Sequence, residues 1–232
     1  MRTRIMSTQI YTIRFGINRC YLIKEDGIIM IDGGPPNKVK AFLKYLTEIS
    51  VKPNDIRLII LTHGDFDHVG SAQEIKLITG AKLAIHEKDR LNFEKSRHNF
   101  PQGTTTWGRF LRFILNPITQ RIFSFKGGTS DIILEDSDYP LQDFGINGKI
   151  VYTPGHTKGS VSVILENGGA FVGCLAHNNI PFRFRPGLPI FAEDIDEVKK
   201  SWNSLIQQGV KMVYPAHGNP FPIDVIKGIL NY

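Results

Sequence analysis

The sequence predicts an α+β fold in which one β-sheet packs on another and helices cover the outer faces. Two observations lead to this prediction. Short apolar runs separated by turn residues, typical of strands, precede helical segments in the first half of the chain, and the same order returns in the second half. The 232 residues, 41% of them hydrophobic, are enough for a sizeable core. Because no linker divides the chain, we expect a single domain over residues 1–232.

The strands of the first half meander before the first helix. Apolar runs in IYTIRFG, NRCYLIKEDG and GIIMIDGG predict three strands, and NKVKAFLKYLTEIS has its apolar residues at helical spacing. The continuous run from Leu58 to Leu61 is typical of a strand buried on both faces. A helix that ends at Gly80 and a strand in AKLAIHE follow.

The second half repeats this pattern. Strands are predicted from GKIVYTPGH through FVGCLAHN, with turns at PGH and ENGG. A helix in DIDEVKKSWNSLIQQG, a strand in VKMVYPAHG and a short helix up to Tyr232 complete the chain.

Residues 88–126 differ in composition from the rest. They contain eight Lys or Arg but two acidic residues, an excess as large as the net charge of +6 of the whole chain, and seven aromatic residues. We expect an insert at about 88–137, folded as an amphipathic helical hairpin that roofs the functional cleft. An interface between two copies of the chain is the alternative role.

Charge and hydropathy limit the classes of binding partner and the cellular compartment that the sequence is compatible with. A net charge of +6 admits nucleic acid, anionic lipid or an acidic metabolite. No nucleic-acid recognition module is apparent, which disfavours nucleic acid as the partner. The basic N-terminus lacks the apolar run of a signal peptide, and no segment approaches 18 apolar residues, so we expect a cytoplasmic protein without a transmembrane segment. Two cysteines, Cys20 and Cys174, exclude a disulfide framework.

The stretch LTHGDFDHVGS, from Leu61 to Ser71, concentrates metal-ligating side chains just past the end of a predicted strand. Other predicted strand ends carry further ligand types. Together the candidates are His63, Asp65, Asp67, His68, His156, Cys174 and His217. Imidazole, carboxylate and thiolate are the groups that zinc accepts, and seven exceed the four ligands of one tetrahedral ion. Two adjacent ions would use them all.

The motifs THGDFDHVG, TPGHTKGS, GCLAHN and YPAHG, with IIMIDGG before them, resemble the metallo-β-lactamase superfamily of binuclear metallohydrolases in order and approximate spacing. The resemblance extends from about residue 10 to the end and is weakest at 88–137. It implies a four-layer αββα sandwich with metals at one edge between the sheets. Glyoxalase II-like thioesterases, lactonases and phosphodiesterases are the implied relatives.

The resemblance also implies roles for single residues. The implied ligands are His63, Asp65 and His156 for the first metal, and Asp67, His68 and His217 for the second. Cys174 lies where the family commonly has a carboxylate that bridges the metals. Asp32 corresponds to an aspartate that braces the metal loop by hydrogen bonding rather than by ligation.

Two positions depart from the family pattern. Most members have histidine in place of Asp65, and some iron-containing members have glutamate there. Two zinc ions are expected, but because a carboxylate oxygen is a harder ligand than an imidazole, iron or manganese are the alternatives. Cys174 either ligates metal or is simply a small buried residue, and the sequence does not choose between these.

For residues outside the motifs, the sequence gives less indication of position and role. His177 either begins a loop, the preferred interpretation, or points into the pocket. In the latter case it would contact an apolar, negatively charged substrate. Further candidates for substrate contact are Arg109, Arg112 and Arg183. His86 and His98 lack motif context and are expected at surface or core positions, and Cys20, within an apolar strand pattern, is expected in the core.

The predicted function is metal-dependent hydrolysis of an ester, thioester, lactone or phosphoester by a metal-bound hydroxide. Asp67 would orient the water and carry a proton to the leaving group. Two alternatives remain: an iron-dependent oxidative enzyme on the same fold, and a non-catalytic metal-binding protein.

Overall fold

The computed structural model describes residues 7–97, 100–122 and 124–231, with the backbone alone given for 117–122. His98 lies outside the described residues. The first sheet contains β1 (Gln9–Phe15), β2 (Asn18–Lys24), β3 (Ile28–Ile31), β4 (Ile56–Ile60), β5 (Lys82–His86) and β6 (Ile132–Leu134). The second contains β7 (Tyr139–Pro140), β8 (Gly148–Tyr152), β9 (Val161–Leu165), β10 (Gly169–Asn178), β11 (Met212–Gly218) and β12 (Phe221–Pro222). The helices are α1 (Val39–Glu48), α2 (Phe66–Val69), α3 (Ala72–Thr79), α4 (Glu87–Glu94), α5 (Thr106–Ile122), α6 (Ile195–Gln207) and α7 (Asp224–Leu230).

The directions of the strands determine which strand ends meet at the site. In the first sheet, β1 to β3 pair antiparallel and β3 to β6 pair parallel. In the second sheet, in the order β12-β11-β10-β9-β8-β7, only β10 and β11 pair parallel within the described part of the chain. The carboxyl ends of parallel neighbours lie at one edge of a sheet. The segments that follow β3 and β4, and the ends of β10 and β11, therefore supply the residues of that edge.

Alternating side chains divide the interior into three apolar layers. In β3, Met30 packs with the helices α1 and α3, while Ile29 and Ile31 pack toward the second sheet. The third layer lies between the second sheet and its helices, where Trp202 and Leu205 of α6 are fully buried. These layers confirm the predicted αββα sandwich.

Local signals in the sequence explain where helices begin and end. Helix α3 ends at Gly80, whose φ of +70° is left-handed and is adopted most easily by glycine. Helix α6 begins after Asp194, whose carboxylate accepts hydrogen bonds from the backbone N–H groups of Asp196 and Glu197. Both ends lie where the sequence predicts them.

The segment predicted as an insert contains α4, α5 and β6. Strand β6 pairs with β5 and forms the outer strand of the first sheet, so this part belongs to the sandwich. Helix α5 is held on the loop after β10, because Thr104 N–H donates to the Ile190 carbonyl at 2.8 Å and Thr104 Oγ1 to that of Pro189 at 2.8 Å. No helix in the described part of the chain combines the length and the apolar character needed to cross a bilayer.

Candidate metal centre

Seven ligand-capable side chains converge at the edge formed by the strand ends. The loop after β4 and the start of α2 carry the motif HGDFDH, and the β8–β9 loop, β10 and β11 each add one side chain. The convergent residues are His63, Asp65, Asp67, His68, His156, Cys174 and His217. Five of them, Asp65, Asp67, His156, Cys174 and His217, line a cleft of about 380 Å³. The structure thus brings together every side chain that the sequence singled out as a metal ligand.

The first ligand group consists of His63, Asp65 and His156. Asp65 Oδ2 lies 3.2 Å from His156 Nε2 and 3.5 Å from His63 Nε2. His63 Nε2 and Asp65 Oδ1 are buried without a hydrogen-bond partner among the described residues. A buried polar atom without a partner is costly, and a bound cation would satisfy both atoms. The group therefore fits a metal ion.

The second ligand group consists of Asp67, His68 and His217. Asp67 Oδ2 lies 3.4 Å from His217 Nε2 and 3.8 Å from His68 Nε2. Asn18 Nδ2 donates a hydrogen bond to the same carboxylate oxygen at 2.8 Å. The nitrogen and oxygen atoms of this group lie within 4.8 Å of one another, close enough to share one ion.

Cys174 lies between the two groups. Its Sγ is 3.2 Å from His68 Nε2, and it forms a further possible ligand cluster with His63 and His68. Burial raises the pKa of the Cys174 thiol, but the nearby histidines, His68 foremost, outweigh it and hold that pKa well below its ordinary value. The sulfur is therefore disposed to be a thiolate, the form that binds metal.

The carboxylates and imidazoles of the site stabilise each other's charges. Burial raises the pKa of Asp65, but His156 and His63 outweigh it and lower that pKa; His68 and His217 do the same for the pKa of Asp67. Burial lowers the pKa of His217, yet Cys174 and Asp67 raise it to about 9. In the metal-free chain the histidines thus carry protons that a metal ion would displace.

Asp32 braces the second group from behind. Its Oδ2 lies 2.8 Å from His68 Nδ1, and its Oδ1 accepts the Thr62 N–H at 2.8 Å. Its backbone φ of +60° is a conformation that aspartate tolerates better than most residues. This contact matches the brace that the resemblance implies, since Asp32 belongs to neither ligand group.

Two supporting residues escaped the sequence analysis. Buried Asp89 accepts the Gly64 N–H at 2.9 Å and the Thr157 hydroxyl at 2.6 Å, and so joins the loops that carry the first group. Its signal in the sequence is an acid soon after a predicted strand, but the composition of residues 88–126 places it among the charges of the insert. Asn18, which holds Asp67, gave no signal, because an asparagine at the start of a strand belongs to no motif.

The preferred interpretation of His177 as the start of a loop is wrong. It lies within β10, where its backbone pairs with both Gly187 and His217, and its ring lines the cleft. Burial lowers the pKa of His177 to about 4, so its imidazole is neutral near pH 7. The ring packs against Phe182, with centroids 4.9 Å apart.

The three arginines proposed as substrate contacts do not line the cleft. Arg183 Nη1 donates to the Leu188 carbonyl at 2.9 Å, and Arg112 Nε donates to that of Phe100 at 3.2 Å. Arg109 Nη2 lies 3.2 Å from the Thr106 hydroxyl. Among the described residues, the single Lys or Arg on the cleft wall is Lys38. A substrate contact by any of the arginines stays a prediction.

His86 and Cys20 occupy buried positions outside the ligand groups. His86 Nδ1 accepts the Lys88 N–H, and its ring stacks on Tyr152 with centroids 4.7 Å apart. Cys20 lies in β2 within the apolar layer between the first sheet and its helices. Both fit the structural positions expected of residues without a motif.

Comparison with known proteins identifies the family. The model of the metallo-beta-lactamase superfamily matches residues 13–217, a range that contains all seven convergent side chains. The Drosophila melanogaster "Beta-lactamase-like protein 2 homolog" is 28% identical over 221 residues, which cover 94% of this chain and 64% of that protein. The Haemophilus influenzae "Hydroxyacylglutathione hydrolase GloC" is 28% identical over 172 residues, 72% of this chain and 71% of that protein.

Solved structures share the fold. The archaeal metallo-beta-lactamase superfamily protein ST1585 from Sulfolobus tokodaii superposes with a TM-score of 0.68 at 19% identity, covering 97% of this chain and 86% of that one. The chain spans 64%, 53% and 66% of the lengths of three curated relatives that it matches. The shared architecture therefore extends over nearly all of this chain, and these relatives are longer.

Proposed function

The chain belongs to the metallo-beta-lactamase superfamily, and from this premise we propose that it is a metal-dependent hydrolase with two metal ions between its sheets. One observation carries the proposal: seven ligand-capable side chains from four separate segments converge at one edge of the sandwich, and two of their buried atoms have no partner among the described residues. Curated relatives named as metallo-hydrolases support it.

The ligand chemistry supports zinc over iron or manganese. The first group would hold one ion and the second group the other, with the Cys174 sulfur between them. A thiolate is a soft ligand that favours zinc, whereas an all-oxygen site would favour manganese. When bound, two such ions acidify a water molecule and polarise the substrate carbonyl.

Asp67 is the residue that we assign to proton movement. Its side chain is partly exposed at the cleft, and Asn18 fixes one carboxylate oxygen by hydrogen bonding at 2.8 Å. Because His68 and His217 hold the pKa of Asp67 below its ordinary value, the carboxylate stays charged and accepts a hydrogen bond from water. Asp67 thus orients the water and transfers a proton to the leaving group without itself remaining protonated.

The cleft wall supports a small acyl substrate. Its apolar part is formed by Phe15, Phe66, Phe100, Leu115, Phe182 and Phe191. Among the residues that the structure describes, Lys38 is the one Lys or Arg on this wall, whereas a groove for a nucleic-acid backbone needs several. We therefore place thioesters, esters and lactones with an apolar acyl group ahead of phosphoesters, with neutral His177 available as a hydrogen-bonding group beside the metals.

A second candidate function follows from the ligand types. Each group contains two histidines and one carboxylate, the set found in non-haem iron oxygenases. An iron-dependent oxidative reaction is therefore the alternative. It requires iron in the native protein and consumption of oxygen, neither of which hydrolysis needs.

Elemental analysis of the purified protein, combined with rates on a substrate panel, tests the proposal. The panel contains a phenylacetyl thioester, an aryl ester, an aromatic lactone and an aryl phosphodiester. We expect about two zinc ions per chain and the highest kcat/KM on an acyl substrate. Cys174→Ala should lower the zinc content, while Cys20→Ala, which removes the other buried cysteine, should not. Iron with oxygen consumption, or metal without hydrolysis of any panel member, would reject the proposal.

A further inference from the structure

A group of large apolar side chains is exposed beside the cleft rather than buried. It lies on α5 and on the loop that follows β10. We call it, with its flanking Arg109 and Arg185, the aromatic-basic surface. Its apolar members are Trp107, Phe110, Phe113, Ile114, Ile180 and Phe184. Phe113 is 81% exposed and Phe184 is 91% exposed, which leaves these rings without protein contacts over most of their area.

The helix and the loop form one continuous face. Trp107 Nε1 donates a hydrogen bond to the Pro181 carbonyl at 2.8 Å and so fastens α5 to the loop. The Trp107 ring also stacks on Phe110, with centroids 5.6 Å apart. Phe110, Phe113 and Ile114 follow at helical spacing, and therefore project from the same side of α5. The exposed residues thus make up a surface rather than scattered single side chains.

The two segments that form this surface carry charge of one sign. The sequence has no Asp or Glu between residues 95 and 130, and none between 167 and 192. Arg109 and Arg185, both exposed, come from these two stretches. Aromatic residues together with basic residues and no acidic ones are typical of segments that lie in the interface of an anionic bilayer.

We propose that the aromatic-basic surface docks on an anionic membrane, with α5 lying in the headgroup region. Apolar rings would enter the boundary between headgroups and acyl chains, and the arginines would pair with lipid phosphates. A second copy of the chain is a poorer occupant, because a symmetric interface would bring the same arginines together. An anionic lipid surface instead supplies the opposite charge.

The docked orientation would bring the cleft to the bilayer. Leu115 of α5 and Phe182 of the same loop line the cleft wall, so the cleft opens next to the aromatic-basic surface. An acyl substrate dissolved in the membrane would reach the ligands without crossing water. This access route rests on the proposed function, whereas membrane docking itself does not.

Co-sedimentation of the full chain with vesicles tests docking without any substrate. The vesicles contain phosphatidylcholine alone or with one third phosphatidylglycerol. We expect binding to the anionic vesicles that weakens at least about tenfold in Phe110→Ser/Phe113→Ser/Phe184→Ser and in Arg109→Gln/Arg185→Gln. All five positions are exposed, so folding is expected to persist, and circular dichroism checks this.

Matched controls lie on α1 and α3. Leu77→Ser removes an apolar side chain that is 68% exposed on α3, and Lys40→Gln/Lys44→Gln removes two exposed cations from α1. Both variants should bind anionic vesicles as the wild type does. Equal weakening in the controls would mean that general charge or hydrophobicity drives binding, and would overturn the proposal.

Tryptophan fluorescence gives a second, independent measurement. The chain has two tryptophans, and Trp202 is fully buried whereas Trp107 is 48% exposed. A blue shift on addition of anionic vesicles would therefore report Trp107 entering the lipid. No vesicle binding and no shift would overturn the proposal. Concentration-dependent dimerisation without lipid that Phe113→Ser abolishes would assign the surface to a second copy instead.

Discussion

The two ligand groups have the same composition, two histidines and one carboxylate, but the protein supports them differently. In the second group, His68 Nδ1 contacts the carboxylate of Asp32 at 2.8 Å, and Asn18 holds Asp67. His217 Nδ1 lies 3.3 Å from the Ile17 carbonyl. In the first group, neither histidine has a carboxylate at its Nδ1 atom. His63 Nδ1 lies 3.0 Å from the Thr62 hydroxyl, and His156 Nδ1 lies 2.9 Å from a backbone carbonyl.

This difference indicates which group the protein holds in place without a bound metal ion. A carboxylate behind an imidazole fixes its orientation and raises its basicity more than a neutral oxygen does. The first group also contains His63 Nε2 and Asp65 Oδ1, which lack hydrogen-bond partners within the described residues. We therefore expect the second group to be preorganised and to bind its ion more tightly, and the first group to be completed by its ion.

The largest expected effect comes from removing one carboxylate at a time. Asp65→Ala and Asp67→Ala should each lower kcat/KM by about a thousandfold, because each removes a ligand and a charge from the reacting centre. Their metal contents should differ. Asp65→Ala should keep about one ion per chain, in the second group, whereas Asp67→Ala should keep less than one. The reverse order in elemental analysis would contradict the comparison.

A smaller effect is expected from the supporting carboxylates. Asp32→Asn should weaken metal binding by about 10–100-fold, the cost typical of losing a carboxylate behind a ligating histidine. Asp89→Asn should cost less, because Asp89 holds the Gly64 N–H and the Thr157 hydroxyl rather than a ligand ring. Chelator competition measures both affinities. A larger loss in Asp89→Asn would mean that loop position matters more than ring orientation.

Most of the fold and the convergence of the seven ligand-capable side chains were predictable from the sequence, and the reasons are local. The run Leu58–Leu61 followed by HGDFDH predicts a buried strand and a loop of ligand-capable side chains after it, since apolar continuity and clustered His and Asp are both visible over a few residues. Asp89 and Asn18 act only through contacts with residues far along the chain. Their roles therefore depend on tertiary packing that no short pattern encodes.

The positions of the arginines and of His177 show the same limit. Composition correctly indicated a basic and aromatic segment, but it does not say where a guanidinium group points. The guanidinium groups of Arg112 and Arg183 donate hydrogen bonds to backbone carbonyls. His177 belongs to a long strand because β10 continues beyond Cys174 beside β11, a pairing between segments about forty residues apart.

Cys174 sharpens the comparison because it lies between the groups. Cys174→Ser should lower the preference for zinc over manganese by about tenfold, since a hydroxyl is a harder ligand than a thiolate. If the sulfur serves both groups, both affinities should fall together. The absorbance of a cadmium–thiolate bond in the wild type, absent in Cys174→Ser and retained in Cys20→Ala, identifies the ligand. Unchanged metal preference would assign Cys174 to packing alone.

The smallest expected effect is the pH dependence of the metal-free chain. The pKa of His217 is raised to about 9, so its stabilising contribution is present below about pH 6.5 and is lost as the pH rises through 9. The raised pKa values of His68 and His156 act in the same direction, while the lowered pKa of the Cys174 thiol opposes them. The free energy of unfolding should therefore fall between pH 6.5 and 9, because three imidazoles with raised pKa values act against one thiol.

Urea denaturation in the presence of a chelator measures this dependence. His217→Asn should show a shallower fall, because one of the titrating groups is gone. His156→Asn provides the matched variant in the first group. An unfolding free energy that rises over the same pH range would show that the thiol outweighs the imidazoles.

The placement of the ligands on both sheets has a consequence for the lifetime of the protein. Four ligand-capable side chains follow β4 of the first sheet, and His156, Cys174 and His217 come from the second. An ion bound by both sets is a cross-link between the halves, and unfolding must release it. At a free metal concentration a hundredfold above the dissociation constant, this linkage adds about 2.7 kcal/mol to the free energy of unfolding. The supply of metal would then govern how long each molecule survives proteolysis, as well as whether it is active.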